Sequence, residues 1–271
     1  MDVIVWRRVH LSWRPIGGRL GNMLVRETEK LVTRPAARRL NPEWLDELAP
    51  QDPRAVGSRK DLQRLNRIMG HAALLVDLWS KNQPDRWIET IVELGAGDGT
   101  FLLDFARTIA PSSRAFKVIL VDRLSAVEPA TLAGFREIGW PVELVTDDAF
   151  DWLARSELKD AAIVANLFLH HFDEDRLGLL LERIADRANL FLALEPRRSI
   201  GALTASRLVG LIGCNSVTRH DAVISVQAGF KEKELSALWP ARGWFIQEIE
   251  VGRFSHCFSA QRFSAAPRKQ S

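Results

Sequence analysis

The sequence predicts an α/β fold: a doubly wound, mostly parallel seven-stranded sheet closed by a C-terminal antiparallel hairpin, with helices ahead of it. Three observations carry this. Short apolar runs alternate with amphipathic stretches of helical period between residues 87 and 196. Those runs are apolar at nearly every position, as strands covered on both faces are, and right-handed crossovers then wind the sheet both ways. Near the C-terminus, two β-rich runs flank a turn at Gly252 that is too short for a crossover, so they must pair antiparallel.

The elements follow in order. Leu62, Leu65, Ile68 and Met69, then Leu74, Leu75, Leu78 and Trp79, recur at helical spacing and predict a helix over 60–81, broken at Gly70 and ended before Pro84. Trp87–Leu94 is the first strand and Phe101–Ile109 an amphipathic helix stopped by Pro111. Phe116–Val121, Val142–Val145, Ala161–Asn166 and Leu190–Leu194 read as the next four strands, with helices through Leu132–Ile138 and Arg176–Ala188 between them. Ile200–Ile212 reads as helical, 213–229 as irregular, and Lys231–Leu238 as a short helix. Trp244–Ile249 and Phe254–Phe263 form the hairpin. The organisation expected is a helical arm and lid over 1–86, then a sheet domain over 87–271 with a cap segment near 199–229.

Composition narrows the class. The chain has 271 residues, 46% hydrophobic and 26% charged, which excludes a disordered, collagen-like or disulfide-scaffold protein. No run approaches the roughly 18 apolar residues of a membrane span, and the N-terminus lacks the order of a signal peptide, so a cytoplasmic location is expected. The two cysteines, Cys214 and Cys257, form no C-x-x-C pair and are expected as free thiols. Net charge is +3, but residues 1–39 carry nine Lys/Arg against Asp2, Glu27 and Glu29, an excess of six. Such an arm could meet nucleic acid or an anionic membrane. A solvated terminal segment, packed in part through Trp6 and Trp13, is the favoured reading.

Glu93-Leu94-Gly95-Ala96-Gly97-Asp98-Gly99-Thr100 lies where the first strand turns into a helix. Glycines there allow a tight turn and close backbone approach of a ligand to a helix N-terminus. The spacing departs from the dinucleotide fingerprint, whose third glycine would fall at Thr100, and from a P-loop, since no lysine follows Gly99. The E-x-G-x-G-x-G pattern resembles motif I of the class I S-adenosylmethionine-dependent methyltransferases. The resemblance covers roughly residues 65–263. Asp122 ends the second strand, where an acid accepts hydrogen bonds from ribose hydroxyls. Asp147-Asp148-Ala149 follows the third strand, where that family contacts adenine, and Asn166 begins its segment after strand four. The resemblance implies S-adenosyl-L-methionine as cofactor and S-adenosyl-L-homocysteine as product. Glu93, Gly95, Ala96, Gly97, Gly99, Asp122, Arg123, Asp148, Ala149 and Asn166 would hold them.

For the chemistry, Leu169-His170-His171-Phe172 is similar to the segment of small-molecule O-methyltransferases whose histidine is the general base, while the N-P-P-[YF] segment of nitrogen methylases is missing after Asn166. The resemblance implies His170, and after it His171, as catalytic. Packing on the cofactor is the competing reading of both. Asn215 and His220, in the stretch expected to overhang the methyl donor, and Asn66 and Met69, with His71 beside them in the front helix, are candidate substrate contacts. No metal is expected.

The activity expected is methyl transfer to oxygen or carbon of a small aromatic, quinone-like or polyketide-like acceptor. An RNA or protein methylase docking through the basic arm, and a non-catalytic cofactor-binding subunit, are the alternatives. The expected partner is a hydrophobic or aromatic small molecule rather than nucleic acid, and homodimerisation is left open.

Overall fold

A computed structural model describes residues 37–82, 88–124 and 126–263. The sheet, its helices and the cavity all belong to one compact unit, Arg38–Ser271. The basic arm up to residue 36, with Trp6 and Trp13, and the expected strand start at Trp87 lie outside the described residues.

Seven strands form one sheet in the order β3-β2-β1-β4-β5-β7-β6. They are β1 (Thr90–Leu94), β2 (Lys117–Asp122), β3 (Val142–Thr146), β4 (Ala161–Asn166), β5 (Ala188–Pro196), β6 (Trp244–Val251) and β7 (Ser255–Arg262). β1–β5 are parallel, and β7 runs antiparallel between β5 and β6. The antiparallel C-terminal hairpin is as the sequence predicts.

The helices are α1 (Trp44–Glu47), α2 (Pro53–Met69), α3 (His71–Asn82), α4 (Thr100–Ile109), α5 (Pro129–Glu137), α6 (Ala149–Arg155), α7 (Glu174–Arg187), α8 (Ile200–Arg207), α9 (Ser216–Ala228) and α10 (Glu234–Leu238). The expected break at Gly70 is real. That residue takes φ +69°, and its N–H donates to the carbonyls of Asn66 and Arg67, closing α2 before α3 begins.

Strand residues alternate between two cores, as the period of two requires. Val92, Ile163, Ala165 and Phe191 pack with Phe150, Leu177, Leu180 and Trp239 on one face. Ile91, Ala162, Val164 and Leu190 pack with Leu75, Trp79, Phe105 and Phe135 on the other. Both faces are thus covered, which accounts for the apolar runs. The edge strand β3 is instead largely exposed, and a Lys117–Glu143 pair at 2.7 Å sits on its outer end.

The stretch 213–229, expected to be irregular, is corrected to the helix α9. Its N-cap is Asn215, whose side chain accepts from the Thr218 N–H at 2.9 Å. Periodicity missed it because the seam between α9 and α2 is polar. Asp61 accepts from the Asn215 N–H at 2.7 Å and the Thr218 hydroxyl at 3.0 Å, and Ser58 meets Thr218 at 2.9 Å. Short α6 is capped by Asp148, so of the two neighbouring aspartates this is the one that takes the helix-capping role.

Candidate functional site

A cavity of about 960 Å³ opens at the carboxyl ends of the parallel strands, where β1 and β4 diverge in chain order. Ligands of open α/β sheets bind at such a switch point. Two walls matter.

The first wall is the glycine turn. Gly95, Gly97 and Gly99 have φ of +69°, +56° and +70°, a region side chains other than glycine rarely adopt. The Gly95 and Ala96 amides donate to the Val121 carbonyl, and the Gly97 amide donates to Asp122 Oδ2 at 2.8 Å. A Cβ at Gly95 would lie 2.3 Å from the Phe168 ring. One at Gly97 would meet no protein atom within 4 Å, so the backbone there faces open space. Gly99 is a correction: it does not line the cavity, and its missing Cβ makes room for Leu120 Cδ1, which a side chain would meet at 2.7 Å.

Asp122 accepts the Gly97 and Leu124 amides, one on each carboxylate oxygen, and keeps lone pairs on both for a ligand. Asp148 caps α6 through the Phe150 amide, and Asp147 accepts the Asp148 amide and pairs with Arg155; both line the cavity. Ala96, Arg123, Ala149 and Asn166 also line it. Glu93 is the telling residue. It is buried, yet its Oε2 has no hydrogen-bond partner. Burial, and then the charges of Asp98 and Asp122, push its pKa well above the usual carboxylate range.

The second wall follows β4. Leu167 takes φ +53°, an uncommon state for a branched side chain, and turns the chain into a 3₁₀ segment, Leu169–His171. Glu195, fully buried at the end of β5, organises this turn. It accepts the Phe168 and Leu169 amides at 2.9 and 2.7 Å and pairs with His170 Nδ1 at 2.7 Å. On the far side His170 Nε2 lies 3.3 Å from Glu43 Oε1. Burial opposes a charge on His170, but hydrogen bonds to Glu195 and Glu43 outweigh it and raise its pKa to about 9. The expected base role of His170 therefore meets a physical obstacle. At neutral pH the ring carries its proton, and both nitrogens face carboxylates. Beside it His171 Nδ1 is 3.4 Å from Asp46, and burial, then the charge of His170, lower its pKa.

Glu43 and Asp46 reach the site from the segment ahead of α2. This segment is held by Asp221, which accepts the Trp44 and Leu45 amides at 2.9 and 3.0 Å, and by Trp44 stacked on His220 at 3.8 Å. Arg38 adds bonds to the His170, Phe172 and Ala228 carbonyls, so this member of the basic arm is engaged internally. Replacing Asp221 by alanine should cost about 2 kcal/mol through the lost amide bonds. Chymotrypsin should then cut at Trp44 faster than in the parent chain. Equal cleavage rates would show that Asp221 does not hold the segment.

Two more expectations need correction. His220 does not line the cavity; it stacks under Trp44 and pairs with Asp221. Asn215 is also outside the cavity, its side chain committed to the α9 cap and to the Arg54 carbonyl. Asn66 and Met69 do line the cavity. His71 is no lid residue: it is buried, joining Asn166 Oδ1 at 2.7 Å to Ser255 Oγ at 3.0 Å. Glu195 and Glu43 were not singled out from the sequence. A charge ending the apolar run Leu192-Ala193-Leu194 was a usable signal for Glu195. Glu43, 127 residues before His170, offered none.

Comparison with known proteins bears on the fold. No protein-family profile matches the sequence, and no curated protein matches it. Solved structures do. An O-methyltransferase family protein from Burkholderia thailandensis aligns at 20% identity with TM-score 0.53, over 78% of this chain and 59% of that one. The plantazolicin methyltransferase BpumL, solved with S-adenosylhomocysteine (SAH), aligns at 12% identity with TM-score 0.56, over 89% of this chain and 100% of that one. The plantazolicin methyltransferase BamL, solved with SAH and a triazolic desmethylPZN analog, aligns at 8% identity with TM-score 0.53, over 75% and 90%. The chain thus has the Rossmann-like fold of these methyltransferases, and it spans 59% of the length of the Burkholderia protein.

Proposed function

We propose that the chain is an S-adenosylmethionine-dependent methyltransferase acting on oxygen or carbon of a small aromatic or quinone-like acceptor. The observation that carries this reading is Glu93: a buried carboxyl with an orphaned oxygen beside a glycine turn that leaves open space at Gly97. A ligand bearing a cationic ammonium group would satisfy that oxygen, and Asp122 would take its ribose hydroxyls. The donor set therefore fits the cofactor. When bound, that cofactor supplies a methyl group on a positively charged sulfur, already activated for in-line displacement. The protein's part is to align the acceptor and exclude water. Leu62, Leu65, Ile68 and Met69 on α2 and Leu208 and Leu211 after α8 give the cavity an apolar wall suited to a hydrophobic acceptor. The His171–Asp46 side would orient the acceptor's polar end. The SAH-bound natural-product methyltransferases of the same fold support the cofactor assignment.

Calorimetry with SAH tests the reading. Glu93→Gln should weaken binding about 10- to 100-fold, the worth of one hydrogen bond to a charged group. There is also a pH signature. Glu93 holds its proton unusually tightly in the empty site, and an ammonium partner favours the ionised form, so binding should release a proton. Affinity should then rise with pH in the parent protein and lose that slope in the variant. Folded protein that binds no SAH but binds a nucleotide triphosphate would overturn the assignment. Incubation with labelled S-adenosylmethionine and a panel of phenols and hydroxyquinones then identifies the acceptor class.

A further inference from the structure

We propose that Glu43, His170 and His171, with Asp46 alongside, form a binding site for a divalent transition-metal ion of the zinc class. One donor atom from each of the first three lies within 4.8 Å of the others. The His170 Nε2 to Glu43 Oε1 distance of 3.3 Å is close to the roughly 3.4 Å between neighbouring donors around a tetrahedral ion with bonds of about 2.1 Å. The two imidazole rings lie side by side, centroids 4.4 Å apart, and Asp46 Oδ2 stands 3.4 Å from His171 Nδ1.

The support behind the donors is that of a metal centre. Glu195 takes the Nδ1–H of His170 at 2.7 Å, so the proton that a bound ion would displace is the one on Nε2, the atom left to ligate. This carboxylate–histidine arrangement orients metal-bound imidazoles and raises their basicity. Glu195 is itself locked by the Phe168 and Leu169 amides, and Ser225 donates to Glu43. Two imidazoles with carboxylates select a zinc-class ion over magnesium, which prefers an all-oxygen shell. All four donor residues line the cavity, so a remaining coordination position would face the acceptor space and could hold an acceptor oxygen. That last use rests on the methyl-transfer reading; the metal site itself does not.

The test uses the full-length chain without a histidine tag, stripped with chelator and dialysed. It is titrated with Zn²⁺ by calorimetry and with Co²⁺ by visible spectroscopy. One Co²⁺ per chain with the d–d bands of a low-symmetry nitrogen–oxygen site is expected. His171→Ala and Glu43→Gln should each weaken binding at least tenfold with circular dichroism unchanged, and Glu143→Gln, on the edge strand β3 away from the cavity, should leave it as it was. These two variants leave the Glu195–His170 pair in place, so folding is preserved better than with His170→Ala. Folded protein that binds neither ion, or binding that survives both variants at full strength, overturns the proposal. SAH calorimetry on the same sample separates the two readings: SAH binding without metal binding sinks only the metal site, and metal binding without SAH binding sinks only the methyl-transfer assignment.

Discussion

Replacing Gly95 by alanine should cost about 2–4 kcal/mol of stability and abolish measurable SAH binding. Two effects add. A side chain at φ +69° carries roughly 1 kcal/mol of backbone strain, and a Cβ driven to 2.3 Å from the Phe168 ring adds an overpacking cost of about 1–3 kcal/mol. Phe168 cannot yield freely, because its amide is bound to Glu195 and its ring packs edge-on against Phe172. Gly97→Ala provides the contrast. Its Cβ meets no protein atom, so the fold should lose only the strain, while the new methyl group crowds the ligand space. Thermal melts and SAH calorimetry on both variants check this. A Gly95→Ala protein with parental melting temperature and affinity would show that the turn is not the cofactor seat.

Glu195→Ala is expected to be the most damaging single change in the second wall, at about 3–5 kcal/mol. The carboxylate is fully buried, and its removal leaves two backbone amides and the His170 ring without their acceptor. Glu195→Gln keeps a carbonyl acceptor of the same shape and should recover a good part of the loss. Chemical denaturation of the three proteins measures it. If alanine proves no worse than about 1 kcal/mol, the turn after β4 is held by something other than this residue.

The parallel sheet was legible because every central strand is buried on both faces, so each shows as an uninterrupted apolar run. The wall made by the glycine turn was legible too, because a glycine turn and a strand-end acid are local features. What escaped was polar and non-local. α9 has no continuous apolar stripe, since Asn215, Thr218 and Asp221 face partners as polar as themselves on α2 and α1. Asp148 read as an adenosine contact, and in the structure it also caps α6. The histidine pair was visible, but its electrostatics were not. Whether His170 is neutral or charged depends on Glu43 and Glu195, which lie 127 and 25 positions away along the chain.

That long reach has an evolutionary reading. The glycine turn is written within the alternating core, whereas two carboxylates of the histidine wall, Glu43 and Asp46, come from the short segment clamped by Asp221. A lineage could therefore exchange this front segment as a cassette, keeping the glycine turn while changing the charges that face His170 and His171.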